Sequence, residues 1–222
     1  MLKRSLFALV GIVALSASSS AFGAILTETF GPTTYGTFSA GSPGGNFTVP
    51  QFDPSLGTLI SVSLSVTGDS FGGTNSYQNL SGNPGTATVT IGSDITVSGP
   101  AALVVLTQPN QTNSGLVTAN VNPVFTFTGS DAVSVTGTTS TDTQNALITS
   151  GLAPYIGLSN VSFAYSSASN VASNGPTPDV TAGTAATFDF APTVVYTYAT
   201  PEPASLSLLG LGAASLLLRK RK

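Results

Sequence analysis

Apolar residues recur at every second position through the middle of this chain, and that alternation constrains the fold more than any other feature. Ile60, Val62, Leu64 and Val66 are separated by Ser61, Ser63 and Ser65. Ala87, Val89 and Ile91 enclose Thr88 and Thr90, while Ile95 and Val97, Phe125 and Phe127, and Val133 and Val135 keep the same spacing. So do Val161, Phe163 and Tyr165, then Phe188 and Phe190, then Val194, Tyr196 and Tyr198. A strand sends successive side chains to opposite faces, so a period of two marks strands with one dry and one wet face. Turn-forming clusters fall between the runs: Ser42-Pro43-Gly44-Gly45, Asn83-Pro84-Gly85, Ser98-Gly99-Pro100, Asn122-Pro123 and Asn174-Gly175-Pro176. No segment outside the two ends has a helical period, and no exact repeat is present. The pattern predicts an all-β body, an antiparallel β-sandwich of about eight to ten strands.

That body spans residues 24–200 of a chain of 222. Its length lets a single domain bury roughly 70% of the unfolded surface. With no Cys and no His in the chain, neither disulfides nor zinc can staple it, and the core must hold it alone.

The charges are partitioned. The basic residues are Lys3, Arg4, Arg219, Lys220, Arg221 and Lys222, all at the two ends. The body carries Glu28, Asp53, Asp69, Asp94, Asp131, Asp142, Asp179 and Asp189, and no positive charge. Such a surface repels phosphate backbones and has no cation to release counterions, which excludes nucleic acid as a partner. Anionic headgroups are disfavoured on the same ground.

Both ends have targeting layouts. Lys3 and Arg4 precede an apolar run of residues 6–15, and Ala21-Phe22-Gly23 offers small residues at −3 and −1. This is the tripartite order of a secretory signal peptide over residues 1–23, cleaved between Gly23 and Ala24. The run falls short of the ~20 residues of a membrane span, so an N-terminal anchor or a core helix is the weaker alternative. At the other end, Pro201-Glu202-Pro203 precedes an apolar stretch over residues 204–218, closed by Arg219-Lys220-Arg221-Lys222. The prolines hold the chain extended before a short hydrophobic helix. Fifteen residues at ~1.5 Å rise reach about 22 Å, less than a ~30 Å hydrocarbon core. The basic cluster would act as a membrane stop on the cytoplasmic side.

Pro201-Glu202-Pro203, the Leu209-Gly210-Leu211-Gly212 helix centre and the terminal basic cluster together resemble the sorting signal of PEP-CTERM proteins. Those are proposed substrates of exosortases in Gram-negative bacteria. Thr200 stands where the family often has Val. The resemblance over residues 201–222 implies exosortase as processing enzyme, with the secretion machinery as a second partner. It also implies a transient stay in the inner membrane and transfer of the body to the cell surface. The alternative is a permanent transmembrane helix. A second resemblance rests on Val49-Pro50-Gln51-Phe52-Asp53-Pro54-Ser55-Leu56-Gly57-Thr58-Leu59, with Phe127-Thr128-Gly129 and Tyr155-Ile156-Gly157. These are similar to choice-of-anchor E domains, which occur upstream of surface-sorting tails and imply no activity. Physically, Pro50 and Pro54 impose an extended entry and a turn, with Phe52 and Leu56 placed to plug the sandwich edge.

Catalytic candidates are weak. Gly68-Asp69-Ser70-Phe71-Gly72 matches the nucleophile-elbow pattern, but a serine nucleophile needs a base, normally His or Lys, and the body has neither. Its expected place is a Gly/Ser loop after the Ile60 strand, continuing through Gly73-Thr74-Asn75-Ser76. The acids are scattered singly, without the pairing a glycosidase needs. No EF-hand ladder marks a calcium loop, and no cofactor or metal is implied. Four Asn-x-Ser/Thr sites begin at Asn46, Asn79, Asn110 and Asn160, and a Thr86, Thr88, Thr90 ladder reads as the wet face of a strand. The expectation is a non-enzymatic, secreted surface or matrix protein associated with exopolysaccharide or biofilm. The alternative is an adhesin-like sandwich that binds glycan or calcium.

Overall fold

The computed structural model describes residues 23–39, 41–120 and 125–201. It is an all-β structure of thirteen strands whose pairings are all antiparallel. The expected signal peptide, except Gly23, the expected C-terminal hydrophobic helix and the Asn122-Pro123 turn lie outside the described residues.

One sheet has β1 (Ile25–Phe30), β13 (Thr187–Ala199), β4 (Thr58–Phe71) and β10 (Ser140–Ile148) in that order, and β2 (Tyr35–Ser39) also pairs with β13. A second sheet runs β3 (Gly45–Pro50), β11 (Asn160–Asn174), β6 (Gly85–Ser98) and β7 (Val104–Thr107). On it, β8 (Asn110–Val117) pairs with the first half of β6 and β7 with the last four residues. A third sheet orders β12 (Asp179–Thr184), β5 (Thr74–Asn79) and β9 (Ala132–Thr136).

The third sheet continues the first. Two or three residues separate β4 from β5, β9 from β10 and β12 from β13, and the lateral order is the same on both sides of the break. The break is a seam where backbones come too close for side chains. Gly72 and Gly73 have φ of +70° and +74°, which only glycine adopts without strain. A Cβ on Gly137 would lie 1.8 Å from the Gly72 carbonyl oxygen, and the Gly137 N–H donates to the Gly73 carbonyl at 3.0 Å. This seam raises the strand count above the eight to ten expected, because three chains are each divided in two.

The second sheet covers both halves and creates two cores. Ile95 and Val97 of β6 join a large core with Leu64, Val66, Phe163, Phe190 and Tyr196; Ala87 and Val89 of the same strand join a smaller one with Tyr77, Val117 and Val133. Between them β6 turns Ser93 inward, fully buried. Opposite, a Cβ on Gly68 would sit 2.6 Å from Thr107 Oγ1, so the layers close on small side chains there.

Most alternating runs are strands, with three corrections. Residues 73–76, expected as loop, are mostly β5, and the Gly68–Gly72 motif lies almost wholly along β4. Thr and Ser suit a strand when edges on both sides need partners, and here they have them. Phe125 and Phe127 are not in a strand: Phe127 has φ of +53° and Phe125 is exposed. Leu56 does not plug the edge; it stands on an exposed 3-10 turn, and Phe52 alone is buried.

Candidate functional site

The two ends of the body meet. Ile25 of β1 lies opposite Ala199 of β13, the Gly23 N–H donates to the Thr200 carbonyl at 3.0 Å, and the Thr200 N–H returns to the Ala24 carbonyl at 3.1 Å. The expected cleavage pair, Gly23 and Ala24, is therefore strapped to the residue before Pro201. Glu202, Pro203 and the expected membrane stop Arg219, Lys220, Arg221 and Lys222 lie outside the described residues. We call this end of the sandwich the base.

The base is built from the segments the sequence singled out. Pro50 ends β3, and Asp53 caps the 3-10 turn of Pro54–Leu56 by accepting from the Ser55 N–H at 2.8 Å. That bond holds the Asp53 carboxyl below its ordinary range. The Phe52 N–H donates to the Tyr155 carbonyl at 2.8 Å, and the Gly157 N–H donates to the Phe52 carbonyl at 3.0 Å. Gln51 spans the same gap, its Nε2 donating to Pro154 O at 2.9 Å and its Oε1 accepting from the Ser159 N–H at 3.1 Å. The Phe52 ring is buried against Tyr198, with centroids 5.0 Å apart. Tyr196 donates its hydroxyl to Pro50 O at 2.9 Å, and Tyr155 donates to Pro100 O at 2.7 Å. Burial raises both phenols, that of Tyr155 to about 12. The Val49–Leu59 and Tyr155–Gly157 blocks thus form one clamp. The third block does not join it: the Phe127 N–H donates to Gln78 Oε1 at the opposite, distal end.

The remaining candidates fall elsewhere. Ser70 is only 2% exposed, opposite Ser140 and Phe188 within the sheet, with no strand-to-helix turn around it. Asn79, first residue of one Asn-x-Ser site, is fully buried; its Nδ2 donates to Asn83 O and Thr118 O, both at 2.8 Å. The Thr ladder is used laterally: Thr88 and Thr90 hydroxyls bond to Ser114 and Thr112 on β8 at 2.8 Å and 3.0 Å. One groove, of about 300 Å³, opens between the β1–β2 connection and β3, lined by Phe30, Tyr35, Phe47, Thr29, Thr33 and Thr48.

Sequence reasoning missed one carboxylate pair. Asp69 and Asp189 are 120 positions apart in the chain but directly opposite in the β4–β13 ladder. Burial first, and the Asp69 charge second, raise the Asp189 carboxyl. Thr141 donates its hydroxyl to Asp69. No group of three or more metal-ligating His, Cys, Asp or Glu side chains occurs among the described residues. Strand register brought the acids together, and no local spacing signals it.

Residues 199–222 match the PEP-CTERM protein-sorting motif. The match begins on the last residue of β13, at the base, and supports an exported protein that is an exosortase substrate sorted to the cell surface. It covers the tail and leaves the body unassigned. No curated protein matches the chain. Among solved structures, the chain is similar to the STIV MCP crystal structure at 13% identity, over 79% of this chain and 48% of that one, with a TM-score of 0.28. It is also similar to infectious bursal disease virus Gx strain at 14% identity, over 81% and 39%, with a TM-score of 0.19. The chain spans less than half of each, and such scores do not establish a shared topology. Among the described residues no helix is long and apolar enough to cross a membrane.

Proposed function

We propose that this chain is a non-enzymatic surface or extracellular-matrix protein of a Gram-negative bacterium. In this reading its body is a choice-of-anchor E-like sandwich, associated with exopolysaccharide or biofilm. The observation that carries the reading is the strapped base. A sorting tail must leave a folded domain where a membrane-embedded enzyme can reach it. Here the matched motif starts where the strands end, with Thr200 hydrogen-bonded to Ala24. Pro201 is the first residue beyond that strap and is exposed. Pro201 therefore leaves the sheet at the base, and proline at positions 201 and 203 favours the extended backbone that proteases accept. The N-terminal partner of the strap, at Gly23–Ala24, is consistent with signal removal before β1 closes the sheet edge.

The test is intact-mass analysis of the chain from a host with a working exosortase. A mature product beginning near Ala24 and ending near Pro203 is expected. Full-length protein still ending in Lys222 would refute it. Replacing Pro201-Glu202-Pro203 with alanines should leave the chain unprocessed in the inner membrane.

A second reading, a glycan-binding module, draws on the groove beside β3. Aromatic rings and hydroxyls are the usual furniture of a sugar site. A glycan array on the folded chain, repeated with Tyr35→Ala, separates the two readings: saturable binding lost in the variant favours the module.

A further inference from the structure

We propose that the base of the body is a lipid-docking surface, on which the chain rests against the membrane that holds its tail. Five large apolar side chains stand exposed there: Leu158 at 85%, Ile25 at 66%, Leu26 at 44%, Leu56 at 41% and Ile156 at 38%. They are neighbours through the clamp. Ile156 bridges to Phe52 and Leu158 precedes Ser159, whose amide and carbonyl bond to Gln51. Leu56 precedes Gly57, whose Cβ would lie 2.0 Å from Ala199 O, and Ile25 pairs with Ala199. Single exposed apolar residues need no explanation on a protein surface, but a cluster around one end does.

The chain beyond the base says what covers it. Only Glu202 and Pro203 separate Pro201 from the apolar stretch of residues 204–218. Fully extended, three steps of chain reach about 11 Å. A headgroup layer is roughly 5 to 7 Å deep, so once residues 204–218 enter a bilayer the base is held at the lipid surface. The charges agree with that orientation. Asp69, Asp142 and Asp189 lie towards the seam, Asp94 lies midway along β6, and Asp131 and Asp179 lie at the distal end. Asp53 is the acid within the base itself and Glu28 the next nearest, and no basic residue lies among the described residues. Docking is therefore apolar insertion by loop tips and the first residues of β1, insensitive to salt, rather than attraction to anionic headgroups. The proposal rests on the reading that residues 204–218 lodge in a membrane.

The chain has no Cys, so single-site labels report cleanly. Leu158→Cys places a polarity-sensitive dye on the base, and Leu116→Cys, 85% exposed on β8, places one towards the distal end. The full chain is reconstituted into phosphatidylethanolamine/phosphatidylglycerol vesicles and separated by flotation. At low and high salt alike, the Leu158 probe should be quenched several-fold more strongly than the Leu116 probe by a lipid-attached quencher, and be shielded from iodide. Adding Leu56→Asp to the Leu158→Cys chain should reduce that shielding. A chain that does not float overturns the reading of the tail, and this proposal with it. A floating chain whose two probes are equally open to iodide overturns the docking alone. Shielding that appears only with co-reconstituted exosortase replaces lipid by that enzyme as the occupant.

Discussion

In the basal half of the body the space between the layers is filled by rings; in the distal half much of it is filled by hydrogen-bonded amides. Phe47 stacks on Phe163 at 5.2 Å, Tyr35 on Phe190 at 5.3 Å and Phe38 on Phe188 at 5.4 Å, all below the seam. Above it, Tyr77 is the one large ring in the smaller core among the described residues. Its neighbours along β5 are buried Asn75, Gln78 and Asn79. Asn75 Nδ2 donates to Thr90 O at 2.9 Å and Ala172 O at 2.8 Å, tying β5 to both long strands of the facing sheet. On the other face of β5, Gln78 is buried beneath residues 126–131, its Nε2 donating to Asp131 at 2.9 Å. Apolar burial is non-directional and tolerates adjustment, whereas an amide bridge works in one geometry. A chain this rich in Asn, Ser and Thr can close a sandwich with few apolar residues when most of its buried amides are partnered, as Asn75 and Asn79 are; Asn110 Oδ1 is buried without a partner among the described residues.

The strongest way to break the comparison is to empty each core. Phe163→Ala removes a fully buried ring that contacts Phe47 and Tyr155, and should cost about 3–5 kcal/mol by urea denaturation. Val89→Ala, fully buried in the distal core, should cost about half as much or less. Equal losses would mean that the two cores contribute alike. Next comes the amide network. Asn79→Ala strands the carbonyls of Asn83 and Thr118 and the Ser81 N–H, at a cost of about 1–3 kcal/mol. Hydrogen exchange should accelerate in β5, β9 and β12 while β4 and β13 keep their protection. Exchange that rises uniformly would show one cooperative unit instead. Smaller again is Tyr196→Phe, which keeps the ring and leaves Pro50 O without its donor. About 1 kcal/mol is expected, with the base clamp loosened and the distal half unaffected.

The halves differed in legibility for the same physical reason. The basal strands announce themselves, because Val62, Leu64, Val66, Val194 and Tyr196 alternate apolar with polar as a dry face requires. β5 does not: in Thr74-Asn75-Ser76-Tyr77-Gln78-Asn79 the residues that face inward include amides, so the period is invisible to hydropathy. The long strands look broken in the sequence, because Ser93 and Ser70 interrupt the apolar series where the layers close at the seam. The base was half legible. The prolines and Phe52 marked one side of the clamp, but its closure by Tyr155 and the strap from Thr200 to Ala24 are long-range pairings. The Asp69–Asp189 contact was hidden for the same reason, since register across β4 and β13 is fixed by the whole sheet.

That contact yields the smallest effect and the one with a sign to check. Two carboxylates directly opposite on one face repel, and the pair sits by the seam that divides the halves. Asp189 is raised above the ordinary carboxylate value, by burial first and by Asp69 second. The folded state therefore holds that proton more tightly than the unfolded state. Stability from this group falls as pH rises from the unfolded value, near 3.9, through the raised folded value, and the penalty is complete above it. Asp189→Asn removes the charge and keeps the shape. At pH 7 the variant should be more stable than the parent by about 0.2–1 kcal/mol, of which only the part due to Asp69 is screened by salt. The gain should shrink towards nothing near about pH 2.5, well below the unfolded value, where the parent carboxyl is protonated in both states. Asp53 at the base has the opposite sense. Its carboxyl is lowered by the Ser55 N–H, so whatever it contributes is present at neutral pH and lost in acid. Paired urea titrations of Asp189→Asn and Asp53→Asn at both pH values measure the two together. A gain for Asp189→Asn that persists unchanged in acid would locate its origin in packing at the seam, not in the charge pair.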